Sequence, residues 1–327
     1  MTARPANPRR RVCLGAALAA LAPLSACQPG PRGPLRLGCH PWPGYELFFL
    51  SREQGTWPTD EVHLVDMPSA SSSLRGLGTQ SLDAAGLTLD EVLSARSRGM
   101  DLRVVAVLDV SVGADVVLAR AGLGSVSALA GRRVGVESSA VGAVMLDAML
   151  SRSGMRSTDV QVVPLAADQH EAAWRDGRVD ALVTYDPMAG RLLAEGARPL
   201  FSSAEVPGTI VDVLAVRSEV MASRATQIRA ALAAHFGALS ALRESPQRLM
   251  SPMARRLGMA PAELEASLAR LELPGVADNQ TWLRPGGRLQ DSAERLRQVM
   301  LRAGLLAALP VIESLGSADF LPAGVAA

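Results

Sequence analysis

The chain has 327 residues, 48% hydrophobic and 20% charged, and its 33 basic and 32 acidic residues leave a net charge of +1. Every basic residue is arginine; the absence of lysine excludes Schiff-base enzymes, a pyridoxal-phosphate anchor, P-loops of the GxxxxGK[ST] type and Ser-x-x-Lys acylation sites. Near-neutral, interspersed charge offers no basic stripe to nucleic acid, and the length suits two domains.

Residues 1–27 read as an address. Arg9, Arg10 and Arg11 precede an apolar run from Val12 to Leu24 that is too short for a bilayer span but right for a secretory signal. Leu24-Ser25-Ala26-Cys27 closes it and resembles the bacterial lipobox, which implies cleavage before Cys27 and a lipid on its thiol. An exported lipoprotein, periplasmic or at the cell surface and anchored to the membrane at Cys27, is therefore expected. Cys13 is then lost and Cys39 is left as a lone thiol, which cannot form an intrachain disulfide and reads as a buried small hydrophobe. Residues 28–34 (QPGPRGP) form a tether.

From residue 35 short β-branched runs alternate with helical ones, the pattern of a parallel α/β sheet. Strands are expected at Leu35 to Cys39, Val62 to Asp66, Asp83 to Ala85 and Leu102 to Asp109, with a helix over Tyr45 to Gln54 stopped by Gly55. A second set follows: Arg133 to Glu137, a helix from Ala140 to Arg152, Val160 to Pro164, a helix over His170 to Asp176, and Ala181 to Tyr185. Two apolar runs, Asp115 to Arg120 and Ile210 to Arg217, read as crossings between lobes. Beyond Arg217 the pattern is helical: Ile228, Leu232, Phe236, Leu239 and Leu242 stripe one helix, and Leu289, Leu296, Val299 and Met300 another that ends at Gly304. Lobe A is expected over 35–117 plus 213–327 and lobe B over 118–212, with no internal repeat.

Catalytic patterns fail. His170-Glu171-Ala172-Ala173-Trp174 lacks the second histidine of a zinc helix, and Asp109-Val110-Ser111-Val112-Gly113 lacks the first glycine of a nucleophile elbow. No metal, cofactor or catalytic residue is expected. Polar clusters instead recur at the C-terminal ends of the strands, the edge where open α/β sheets bind ligands. These clusters are Pro41-Trp42-Pro43-Gly44-Tyr45, Leu87-Thr88-Leu89-Asp90, Asp109-Val110-Ser111, Ser138-Ser139 and Tyr185-Asp186-Pro187.

Trp42-Pro43-Gly44-Tyr45, Leu87-Thr88-Leu89-Asp90-Glu91-Val92-Leu93, Leu108-Asp109-Val110-Ser111-Val112-Gly113-Ala114-Asp115, Leu129-Ala130-Gly131-Arg132-Arg133-Val134-Gly135-Val136 and Val179-Asp180-Ala181-Leu182-Val183-Thr184-Tyr185-Asp186-Pro187 resemble, in order, the motifs of solute-binding proteins of nitrate/sulfonate/taurine-type ABC importers. The resemblance covers about residues 35 to 320. It implies a two-lobed periplasmic-binding fold with two crossing strands that closes on a small-molecule solute. It also implies partnership with an ABC permease and its ATPase. A sensory receptor for a membrane kinase would use the same bind-and-close event. A branch of the fold makes the thiamine pyrimidine from its own residues with pyridoxal phosphate; the missing lysine argues against that enzyme here.

The expected ligand-binding residues are Trp42, Tyr45, Thr88, Asp90, Ser111, Asp115, Ser138, Ser139, Tyr185, Asp186 and Asp212. Trp42 and Tyr45 supply flat cleft walls, while Phe48, Phe49 and Trp57 belong to the core. Thr88 with Glu91 also fits a capping box, and Ser138-Ser139 opens the second-lobe helix, whose free N–H groups suit an anion. The five aspartates in and beside these clusters, Asp90, Asp109, Asp115, Asp186 and Asp212, with no arginine among them, point to a solute bearing an amine, alone or within a zwitterion.

Overall fold

The computed structural model describes residues 1–2, 33–137 and 140–323. The expected signal and Cys27, and the pair Ser138-Ser139, lie outside the described residues.

Two sheets flanked by helices fill residues 33–323. The chain lays down β1 (Leu35–Cys39), β2 (Val62–Asp66), β3 (Ala84–Thr88) and β4 (Leu102–Ser111) in the first sheet. It passes to the second for β5 (Asp115–Ala119), β6 (Arg133–Glu137), β7 (Gln161–Leu165), β8 (Ala181–Tyr185) and β9 (Arg198–Ser202). It then returns to the first for β10 (Val211–Arg217) and the two-residue β11 (Leu271–Glu272). The first sheet runs β11-β4-β10-β3-β1-β2 and the second β7-β6-β8-β5-β9. β1 lies parallel to β2 and β3, and β6 parallel to β7 and β8. β10 inserts antiparallel between β3 and β4, and β5 antiparallel between β8 and β9. Central strands are buried along their whole length, as helices on both faces require. Both apolar runs read as crossings are strands of one sheet each; the chain passes between sheets at 112–114 and 203–210.

Most expected elements are present, with small shifts at their ends. The first helix opens as a 3-10 turn at Pro43–Tyr45, continues as an α-helix over Glu46–Glu53 and stops at Gly55, whose φ of 73° lies in the left-handed region glycine tolerates. Ile228, Leu232, Phe236, Leu239 and Leu242 form the buried stripe of the helix Ala225–Glu244. Phe48, Phe49 and Trp57 are core, and Cys39 is fully buried, its thiol pushed up to about 12 by burial. The helix Ala70–Gly78 and strand β9 were not expected.

The sheets also carry a structural repeat that the sequence reading missed. Arg36 donates its backbone N–H and guanidinium to Asp83, with bonds of 3.0, 3.0 and 2.6 Å. Arg133 holds Asp180 in the same three ways, at 3.0, 3.0 and 2.8 Å. Each fork ties the start of one parallel strand to the start of its neighbour, β1 to β3 and β6 to β8. A constant offset relates Arg36 to Arg133, Asp83 to Asp180, His40 to Glu137 and Thr88 to Tyr185.

Candidate functional site

The last four residues of that repeat meet. His40 and Thr88, at the C-terminal ends of β1 and β3, face Glu137 and Tyr185, at the ends of β6 and β8, across a cavity of about 20 Å³. Trp42, Glu91 and Asp212 line it from the first sheet's side and Asp115 from the second's. The starts of the helices Ala70–Gly78 and Ala140–Arg152 close it through Ala70 and Val141. Among the described residues, no arginine lines it. At His40 and Tyr185 it adjoins a wider opening of about 590 Å³, bordered by Arg175, Arg191 and Arg256.

Aromatic rings bridge the two sheets here. The Trp42 and Tyr185 rings meet edge to face with centroids 5.5 Å apart, and His40 lies 5.2 Å from Tyr45 and 5.9 Å from Tyr185. The Trp42 indole N–H donates to Asp109 Oδ2 at 3.1 Å, and the Tyr45 hydroxyl donates to Asp212 Oδ1. Asp109 and Asp212 are register partners on β4 and β10, so their carboxyl groups project from the same face. Gly44 makes room for them: a Cβ there would overlap Asp109 Oδ2 and lie 2.8 Å from Trp42 Nε1. Glu137 Oε1 accepts from the Ser71 N–H at 3.3 Å and the Ser71 hydroxyl at 3.2 Å, and Glu137 Oε2 from the Tyr185 hydroxyl at 3.4 Å.

These acids are buried with little to offset their charge. Burial raises Asp109 to about 7, against the Trp42 hydrogen bond. It holds Asp212 well above the carboxylate range, and the neighbouring Asp109 charge adds to this. Asp90 rises to about 7 and Asp115 to about 6, in both cases chiefly through burial. Burial also raises Glu137 and lowers His40 to about 4, so His40 is neutral at physiological pH. Among the described residues, His40 Nδ1 and Asp115 Oδ2 are buried with no hydrogen-bond partner.

Of the residues expected from sequence, Trp42, Thr88, Asp115, Tyr185 and Asp212 line the cavity. Tyr45 lies beneath it, fully buried, its ring 3.1 Å from where a Gly86 Cβ would stand. Asp90 is buried behind the wall at the start of the helix Leu89–Ser97. The Thr88 backbone N–H donates to Glu91 Oε2 at 3.0 Å, one half of the expected capping box. Ser111 sits at the passage between sheets, its hydroxyl 2.7 Å from that of Ser203 and accepting from the Asp115 N–H at 3.2 Å. Asp186 is not part of the lining: it accepts from Arg270 Nη2 at 2.7 Å and from the Gly190 N–H at 3.0 Å. His40, Glu91 and Glu137 line the cavity without having been singled out as ligand contacts, although His40 and Glu137 obey the same strand-end rule that found Tyr185.

Two sheets joined by a double passage, with a cavity at their strand ends, define the periplasmic-binding-protein fold. The alkanesulfonate-binding protein from Xanthomonas axonopodis pv. citri, solved bound to MOPS, superposes with a TM-score of 0.71 over 86% of this chain and 96% of that one; at 19% identity this is a likeness of fold. The desulfurization enzyme DSZB shares the fold too, with a TM-score of 0.62, 19% identity, and coverage of 88% of this chain and 97% of that one. Residues 28–254 match the NMT1-like family, and the chain belongs to that family. A putative aliphatic sulfonates-binding protein of Escherichia coli (strain K12) is 26% identical over 214 residues, 64% of this chain and 66% of that protein. The matched region thus spans just under two thirds of that relative's length.

Proposed function

We propose that this chain is the exported solute-binding component of an ABC importer, which captures a small polar solute between two lobes and hands it to the permease and its ATPase. Each lobe is built on one sheet, so the boundaries expected after 117 and 212, which would cut β5 and β10, move to the passages at 112–114 and 203–210. The solute bears an amine, alone or in a zwitterion, and the protein does no chemistry on it. Export and a lipid anchor at Cys27 are part of the same reading. The family match and the sulfonate-binding relative support the solute-binding role, while the amine rests on the acidic groups gathered at the cavity. The observation that carries it is the cavity itself: equivalent strand ends of both sheets supply its walls, so separating the sheets opens it and bringing them together buries a solute.

The test is a thermal-shift screen of the chain beginning after Cys27 against amines, sulfonates, amino acids and pyrimidines. A ligand that binds only the folded protein raises Tm; at about 100 times its Kd it adds roughly 2.7 kcal/mol. At least one class should raise Tm, and Trp42→Ala should abolish the rise. A flat response to every class would overturn the proposal.

A further inference from the structure

The cavity's chemistry narrows the solute, granted the capture reading above. One anion-binding position near its lining is already filled by the protein: Glu137 accepts from the Ser71 N–H and hydroxyl at the start of the helix Ala70–Gly78, where a free N–H would suit an anion. Among the described residues the lining has no arginine, and the neighbouring Asp186 has its own arginine outside it, Arg270. Aromatic rings line it from both sides, Trp42 from one sheet and Tyr185 from the other, packed edge to face. His40 Nδ1 and Asp115 Oδ2, 6% and 5% exposed as residues, line the cavity with no partner among the described residues and can accept from an N–H donor.

We infer that the cavity takes the cationic head group of a small organic solute, an ammonium, which enters in exchange for one proton of the Asp109–Asp212 pair. The cavity of about 20 Å³ suits a head group, and the opening of about 590 Å³ beyond His40 and Tyr185 takes the remainder. Charge balances: below neutral pH the pair is uncharged, the cation arrives, and one proton leaves to solvent. Burial supports this by holding Asp109 protonated to about 7 and Asp212 higher. The groups around the pair are Tyr45 and Trp42 from the 3-10 turn, Asp90 and Glu91 from the helix behind β3, Asp115 from β5 and Glu137 from β6. None is basic, and neutral His40 adds no cation that would compete.

Two probes with one skeleton separate the charges: ethanolamine and 2-hydroxyethanesulfonate, titrated calorimetrically into the full chain in phosphate buffer. Ethanolamine should bind at least about tenfold more tightly, with an affinity that rises nearly tenfold from about pH 5.5 to 6.5 and levels off above about 7.5, since the slope counts the protons released. Asp109→Asn, which removes the acid that titrates near 7 and mimics its neutral form, should lose that slope and bind ethanolamine at least about tenfold more weakly while melting no lower than the parent at about pH 5.5. Tighter binding of the sulfonate, a flat pH profile in the unaltered chain, or no binding of either probe at about 10 mM would overturn the inference. A hit of another class in the broader screen would leave the capture reading standing in each case, whereas a blank screen removes that reading itself.

Discussion

Gly44, Trp42 and Asp109 form one mechanical unit. The Pro43–Tyr45 turn brings the Gly44 backbone so close to Asp109 that no side chain fits, and the same carboxylate accepts the Trp42 indole N–H. Gly44→Ala must therefore push Asp109 off its bond or tilt the Trp42 ring. Overpacking of this kind costs about 1–3 kcal/mol. The variant should melt several degrees lower and lose the ligand-induced rise in Tm even when folded; an unchanged Tm and an unchanged ligand response would refute this coupling. Residues of this sort differ in how far sequence reveals them. Trp42, Thr88, Asp115, Tyr185 and Asp212 could be picked out because the cavity lies where strand ends point, and strand ends follow from hydrophobic pattern. Asp186 obeyed the same rule yet faces Arg270, a pairing of long sequence separation that no local pattern announces. His40 and Glu137 were overlooked because a single polar residue closing a strand looks like an ordinary boundary.

At the scale of elements, β4 depends on a helix to complete its hydrogen bonding. β11 covers only its last two residues, Val110 and Ser111, so Val107 presents backbone groups to the helix Val276–Leu283. Asn279 on that helix accepts from the Val107 N–H at 2.7 Å and donates to its carbonyl at 3.0 Å, acting as one step of a missing strand. The register of β4 against β10 shifts nearby, between Asp212 and Val213, so this contact sits beside the step that sets Asp109 opposite Asp212. Asn279→Ala would leave two buried backbone groups unpaired at about 1–3 kcal/mol each. A matching fall in urea stability is expected; a variant as stable as the parent would show that water or another group serves Val107. Propensity explains which elements could be read beforehand. The β-branched cores of β1, β6 and β8 are unambiguous. The helix Ala70–Gly78 is hidden by the serines Ser69, Ser71, Ser72 and Ser73, poor helix formers whose leader caps the helix by accepting from the Ser72 N–H at 3.2 Å. β9 carries Pro199 and is an edge strand, a place where proline is tolerated and the alternation signal is weak. The repeat escaped notice because its constant residues, Arg36 with Asp83 and Arg133 with Asp180, are few and widely spaced.

For the molecule as a whole, the carboxyls gathered between the sheets should govern stability against pH. Asp90, Asp109, Asp115 and Asp212 all have folded pKa values above the unfolded value of 3.8, with burial the leading cause, and Glu46 is raised by burial to about 8 despite Arg256 beside it. As pH rises past 3.8 the unfolded chain ionises these groups first, while the folded chain still holds the protons. Their contribution is thus fully present below the unfolded pKa and is lost as pH climbs through the folded values of about 6 to 8. Acids shifted the other way, such as Asp83 and Asp180 under their arginine forks, oppose this only where pH falls through their own low values. Urea unfolding should therefore give a higher midpoint near pH 5 than near pH 8, with Asp212→Asn narrowing the gap by removing one of the raised acids. Equal midpoints at the two pH values would mean that water reaches these carboxyls in the folded protein, and the raised values would then have no buried setting to produce them.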